Sequence, residues 1–158
     1  MLLELGFRKA RGEHGLHRRK TLGDKAGERR AARMTVARAE AALARDRSNG
    51  AVMGFGVSGL AALGEAERCQ DWIRRALLID PDNLIMRYNF ACTLCVYLKD
   101  MDGALDLLGP YFARAPFSDI DWMKVDPDLA GLRETPRFKA LLAAAEARVA
   151  GDRAVAPS

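Results

Sequence analysis

Between Ala62 and Cys95 the chain carries two amphipathic segments separated by a turn too short to let them diverge, and no other stretch limits the fold as much. Cys69, Ile73, Ala76 and Asp80 fall at i, i+4, i+7 and i+11, with Trp72 and Leu77 widening the apolar stripe. Leu84, Tyr88, Ala91, Cys92 and Cys95 form the second stripe. Asp80-Pro81-Asp82-Asn83 lies between them. Pro81 has no backbone N–H to continue the first helix, and Asp82 or Asn83 supplies an N-cap for the second. Helices joined this closely must lie antiparallel.

The pattern repeats. Ala42-Leu43 returns as Ala76-Leu77, Asp46 as Asp80 and Asn49 as Asn83, each after 34 positions. Ala115-Pro116 follows Asp80-Pro81 by 35, which places one inserted residue near Lys99. Alanine and leucine number 27 and 20, against 15 for valine, isoleucine and threonine together, so helix is favoured throughout and no sheet is expected. Expected helices run over Glu28–Arg45, with Ala32, Val36, Ala39 and Leu43 on one face, then Gly50–Leu63, Glu65–Ile79, Leu84–Leu98 and Asp102–Ala113. Ala104, Leu108, Tyr111 and Phe112 face inward from the last of these. After a short helical turn at Trp122, Thr135 caps a final helix with Pro136 in its first position. Fraying is expected from Arg148 onward.

Trp72-Ile-Arg-Arg-Ala-Leu-Leu-Ile-Asp-Pro-Asp-Asn83 resembles the second helix and closing turn of a tetratricopeptide repeat, and Leu63-Gly64 resembles the turn inside such a repeat. The resemblance implies an all-α fold, an α-α superhelix of antiparallel helix pairs closed by a C-terminal capping helix. Its units would span 28–49, 50–83 and 84–118, with the cap at 119–150. Trp122, Leu129, Leu132, Phe138, Leu141 and Leu142 would cover the last apolar face, as stacked repeats require for solubility. Residues 1–27 read as a flexible basic arm and 151–158 as a tail.

Charge is concentrated at the N-terminus. Residues 1–50 carry 13 lysines and arginines against 6 acids, and residues 51–158 carry 12 against 15. The basic residues come without interleaved aromatics that would stack on bases, so a solvated face is expected and nucleic acid is not. The longest apolar run, Ala51–Leu63, falls short of the roughly 20 residues of a membrane span. With no secretory pattern at the N-terminus, three cysteines point to a reducing cytoplasm.

Three chemical motifs have a plainer packing alternative. Gly54-Phe-Gly-Val-Ser-Gly59, with Asp80 some 21 residues on, matches a dinucleotide fingerprint, yet no buried strand precedes it. Its glycines otherwise let neighbouring helices approach closely. Ser58 has no histidine after His17 to activate it. Cys92-x-x-Cys95 lacks the further ligands a zinc ion needs, Cys69 and the pair His14 and His17 apart, and reads as small apolar filling. No metal or other cofactor is expected.

Arg87-Tyr-Asn-x-Ala-Cys92, Ala104-Leu-x-Leu-Leu108, Asp126-Pro-Asp-Leu129 and Pro136-Arg-Phe138 together resemble the C-terminal repeat region of bacterial class III adenylate cyclases, over residues 28–149. The catalytic domain of those enzymes has no counterpart here. The resemblance implies a non-catalytic protein-interaction scaffold, the regulatory or assembly part of a cyclase-like signalling protein. It also implies a peptide groove formed by Phe55, Ser58, Ile85, Tyr88, Asn89, Cys92 and Val96. Asn89 matches a position where some relatives hold a peptide carboxylate, but the basic partners of that clamp are missing. Tyr88 reads equally as a packed aromatic. The alternative is a homodimer completed through Phe117, Ile120 or the alanine face of residues 31–43.

Overall fold

The computed structural model describes residues 24–155, and every regular element among them is a helix. These are α1 (Lys25–Leu43), α2 (Gly50–Leu63), α3 (Ala66–Ile79), α4 (Leu84–Thr93), α5 (Met101–Phe112), α6 (Phe117–Val125) and α7 (Pro136–Val155). A π-helical turn, Leu94–Leu98, prolongs α4, and a 3-10 turn, Pro127–Leu129, follows α6. Of the expected arm at 1–27, positions 1–23 lie outside the described residues, while 25–27 already belong to α1. That helix starts early because the Asp24 carboxylate accepts the Gly27 N–H at 2.7 Å. Of the expected tail, 156–158 lie outside the described residues and 151–155 continue α7.

Helix α1 packs on α2 through Ala32, Val36, Ala39 and Leu43, the face read from the sequence. Helix α2 packs on α3 and also on α4, α4 packs on α5, and α7 lies against both α5 and α6. Gly64 turns α2 into α3 in the left-handed conformation, with φ of 79°. Lys99 does the same between α4 and α5, with φ of 58°. Pairs closed by such short turns run antiparallel.

The 34-residue offset is visible in the hydrogen bonds. Asn49 caps α2 by accepting the Val52 N–H at 3.0 Å, and Asn83 caps α4 by accepting the Met86 N–H at 2.9 Å. Each asparagine also donates its own N–H to the carbonyl of the aspartate three residues earlier, at 3.4 Å in both turns. Beyond the caps the offset changes: Gly64 follows Asn49 by 15 residues and Lys99 follows Asn83 by 16. The π turn absorbs the extra residue, since an i→i+5 bond encloses one residue more than an α-helical bond. The Leu94 carbonyl there accepts from both Lys99 and Asp100.

The far end is sealed. Thr135 caps α7 by accepting the Phe138 N–H at 3.3 Å, and Phe138 meets Phe112 edge-on at 5.5 Å. Leu129, Leu132 and Phe138 are buried, with Trp122, Leu141 and Leu142 packed beside them. Arg148 does not fray. Its guanidinium donates to the carbonyl of Phe112, at the end of α5, and to that of Ala115 in the turn after it. Ile120, expected as a dimer contact, is wholly buried in the chain's own core, whereas Phe117 keeps 39% of its surface.

Candidate functional site

The glycines of α2 decide which of its faces stays open. A Cβ on Gly56 would stand 2.0 Å from the Trp72 ring, and one on Gly59 would stand 2.9 Å from Val36 and 3.1 Å from the Ala32 carbonyl. Bare backbone at these two positions lets α3 and α1 press against α2. At Gly54 a Cβ would meet only Phe90, at an ordinary 4.0 Å. The whole run Gly54–Gly59 lies inside α2 and is not the strand-to-helix turn on which a pyrophosphate rests. Asp80 ends α3 and accepts from the Asn83 amide at 2.8 Å. What α2 leaves exposed is Ala51, Phe55 and Ser58, each one turn on from the last.

Beside that face lies a cleft of about 380 Å³. Ser58 contributes from α2, Cys92, Cys95, Val96 and Tyr97 from the end of α4 and its π turn, and Pro127, Asp128 and Gly131 from the segment after α6. Three of the seven expected groove residues, Ser58, Cys92 and Val96, meet in it. Phe55 stands one turn away from Ser58 and is 72% exposed. Ile85 and Asn89 are half-buried farther up α4 and do not line the cleft. Tyr88 is turned inward.

Tyr88 belongs to a buried polar network. Its hydroxyl donates to the Asp126 carboxylate and accepts from Trp122 Nε1 at 3.0 Å, while its ring lies 5.4 Å from that of Tyr111. The second Asp126 oxygen accepts the Asp128 N–H at 2.9 Å and so starts the 3-10 turn. Arg133 donates to the Asp126 carbonyl. The wall of the cleft that carries Pro127 and Asp128 is therefore pinned to α4 through one carboxylate.

Tyr97 and Asp128 are lining residues that helical periodicity did not single out, and Cys95, which it placed on the inward stripe, was not expected in the groove. A stripe drawn from Ile85 at regular helical spacing reaches Val96 and passes over Cys95 and Tyr97. The π turn brings all three to one wall, and the 35-residue offset is the sequence signal for it. Asp128 enters through the Asp-Pro-Asp-Leu segment, which reads from sequence as a cap.

Burial first, and then the Asp128 charge, hold the Cys95 thiol at a pKa of about 11 and push that of Cys92 well above the ordinary thiol range. Burial likewise raises the Tyr97 phenol, with Asp128 and then Glu28 adding to it. Burial and the Asp100 charge hold Cys69 at about 11. Near neutrality the cleft therefore presents neutral S–H and O–H groups. Thiolate is the reactive form, so a disulfide dye at pH 8 should label the folded chain about a hundredfold more slowly than the chain in urea. Prompt labelling of one cysteine in the folded chain would contradict this. Because the folded-state thiol pKa values are raised, their contribution to stability is complete below the unfolded value near 9. It is then lost as pH rises toward 11.

Among the described residues no helix is long and apolar enough to cross a membrane, and no group of three or more histidine, cysteine or acidic side chains is placed to hold a metal ion. Comparison with models of protein families, with curated proteins and with solved structures returns no match.

Proposed function

We propose that this chain is a non-catalytic protein-interaction module of the tetratricopeptide type, taking a partner peptide along the open faces of α2 and α4. The observation that carries the reading is the cleft itself. It opens between α2, the end of α4 and the segment after α6; its lining residues Val96 and Tyr97 keep 37% and 47% of their surface, and Phe55, one turn before Ser58 on α2, keeps 72%. Stacked helical repeats bind extended or helical peptides on that side. The volume suits one bulky apolar side chain with its flanking backbone, and the neutral hydroxyl and thiol groups suit peptide carbonyls. The resemblance to cyclase C-terminal regions makes the module a regulatory or assembly part of such a signalling protein, working in the cytoplasm.

Phe55→Glu and Val96→Glu test this without touching the core, since both side chains are exposed and surface changes of this kind stay within about 0.5 kcal/mol. A protein retained from native lysate by the wild-type chain should be lost at least tenfold by either variant at unchanged melting temperature. Equal retention by the variants, or capture of nothing, would overturn the reading. Self-association is the second reading, resting on Leu78 and Ile79, adjacent residues at the end of α3 that are 82% and 41% exposed. Light scattering that shows mass doubling with concentration would favour it.

A further inference from the structure

Away from α1 and the turn after it, the arginines with described side chains are held by the fold, Arg87 and Arg133 by the backbone carbonyls of Pro81 and Asp126. Arg68, Arg74, Arg75, Arg114, Arg137 and Arg148 each enter an ion pair with a carboxylate. On α1 and the turn after it, Arg33, Arg38 and Arg45 enter none among the described residues. Arg30 reaches Asp24 only at 4.0 Å, with both side chains more than half exposed. These four arginines surround Met34, Ala37 and Ala41, exposed at i, i+3 and i+7 on the side of α1 away from its buried stripe. Met34 keeps 55% of its surface.

An unneutralised basic rim around a narrow apolar strip at helical spacing complements one kind of surface: an amphipathic helix with acidic flanks. We propose that this face of α1 docks an acidic amphipathic helix of a partner protein. A nucleic-acid duplex would satisfy the arginines but set phosphates against Met34, and nothing on this face is aromatic to stack the bases of a single strand. A second copy would bring arginine against arginine. An acidic helix covers the apolar strip and neutralises the rim together. The site lies on α1 and does not depend on the reading of the cleft.

The full chain is titrated into a fluorescein-labelled synthetic helix of about three heptads, with leucine and alanine along one seam and glutamate beside it. Anisotropy is read at roughly 0.15 M salt, where exposed charges more than about 8 Å apart are screened. The same helix with lysine for glutamate and a random-sequence DNA duplex are run in parallel. Saturable binding of the glutamate helix alone is expected, weakened about tenfold by Arg38→Glu or by Arg45→Glu, with circular dichroism unchanged. Both arginines are exposed and enter no ion pair among the described residues, so neither substitution removes a contact of the fold described. Absence of saturable binding, equal binding of the lysine helix, or indifference to both substitutions would overturn the proposal. A duplex bound as tightly as the glutamate helix would make the face a general polyanion site and would also overturn it.

Discussion

Replacing Tyr88 by alanine should destabilise the chain by about 3–5 kcal/mol, the range for truncating a buried aromatic. Against a total stability of about 5–15 kcal/mol for a domain, that is enough to populate unfolded chains at physiological temperature. Three effects combine. The residue is only 6% exposed and its ring packs on Tyr111, so its removal leaves a void between α4 and α5. The hydroxyl is a donor to the buried Asp126 carboxylate. It also accepts from Trp122, which ties α6 to α4. Tyr88→Phe separates the packing from the hydrogen bonding: it keeps the ring and should cost about 1.5–3 kcal/mol, the worth of a hydrogen bond to a charged group. Asp126→Asn in the Tyr88→Phe background should cost less than the same change in wild type, because the two groups share one interaction. Urea denaturation of the four proteins measures this. Additive losses would mean that hydroxyl and carboxylate act independently. For the cleft the consequence is indirect: Tyr88→Ala would loosen the wall that carries Pro127 and Asp128, so lost binding in that variant would report on structure and not on contact.

The parts of this arrangement that were legible in sequence are those fixed by local spacing. The buried stripe of α1, the limits of α2, the cap at Thr135, the cap at Asn83 as one of the two residues offered for it, and the end of α3 depend on residues within a few turns of one another. The contacts that escaped are long-range. Tyr88 and Asp126 are 38 residues apart, and Arg148 reaches a carbonyl 36 residues away, so neither pairing has a local signature. The π turn lies between these cases: the change in offset from 34 to 35 located an extra residue, but not that the helix would keep it by opening one turn. That choice decided the candidate site, because it brought Cys95 and Tyr97 into line with Val96 while Ile85 and Asn89 stayed farther up the helix.

Alanine placed in turn at Gly54 and Gly56 should move stability in opposite directions, although the two positions share one helix. Each substitution gains about 1 kcal/mol from helix propensity. At Gly54 nothing opposes the gain, since the nearest atom to a new Cβ is Phe90 Cε1 at 4.0 Å, and the variant should melt a few degrees higher. At Gly56 the new carbon would fall 2.0 Å and 2.6 Å from two atoms of the Trp72 ring. An indole is rigid, and this one is only 7% exposed, wedged between α2 and α3, so it can yield only by moving a helix. Overpacking of this kind costs typically 1–3 kcal/mol and more where nothing relaxes, leaving a net loss of about 2 kcal/mol after the propensity gain. The melting temperature should fall by about 5–10 °C. Trp72→Leu combined with Gly56→Ala should recover part of the loss relative to Trp72→Leu alone, because the branched side chain can turn away from the new methyl group. If Gly56→Ala melts with the wild type, close contact with Trp72 does not explain that glycine. Opposite signs at Gly54 and Gly56 would instead tie the requirement for glycine to helix packing, since a phosphate-binding loop would call on its glycines irrespective of the indole.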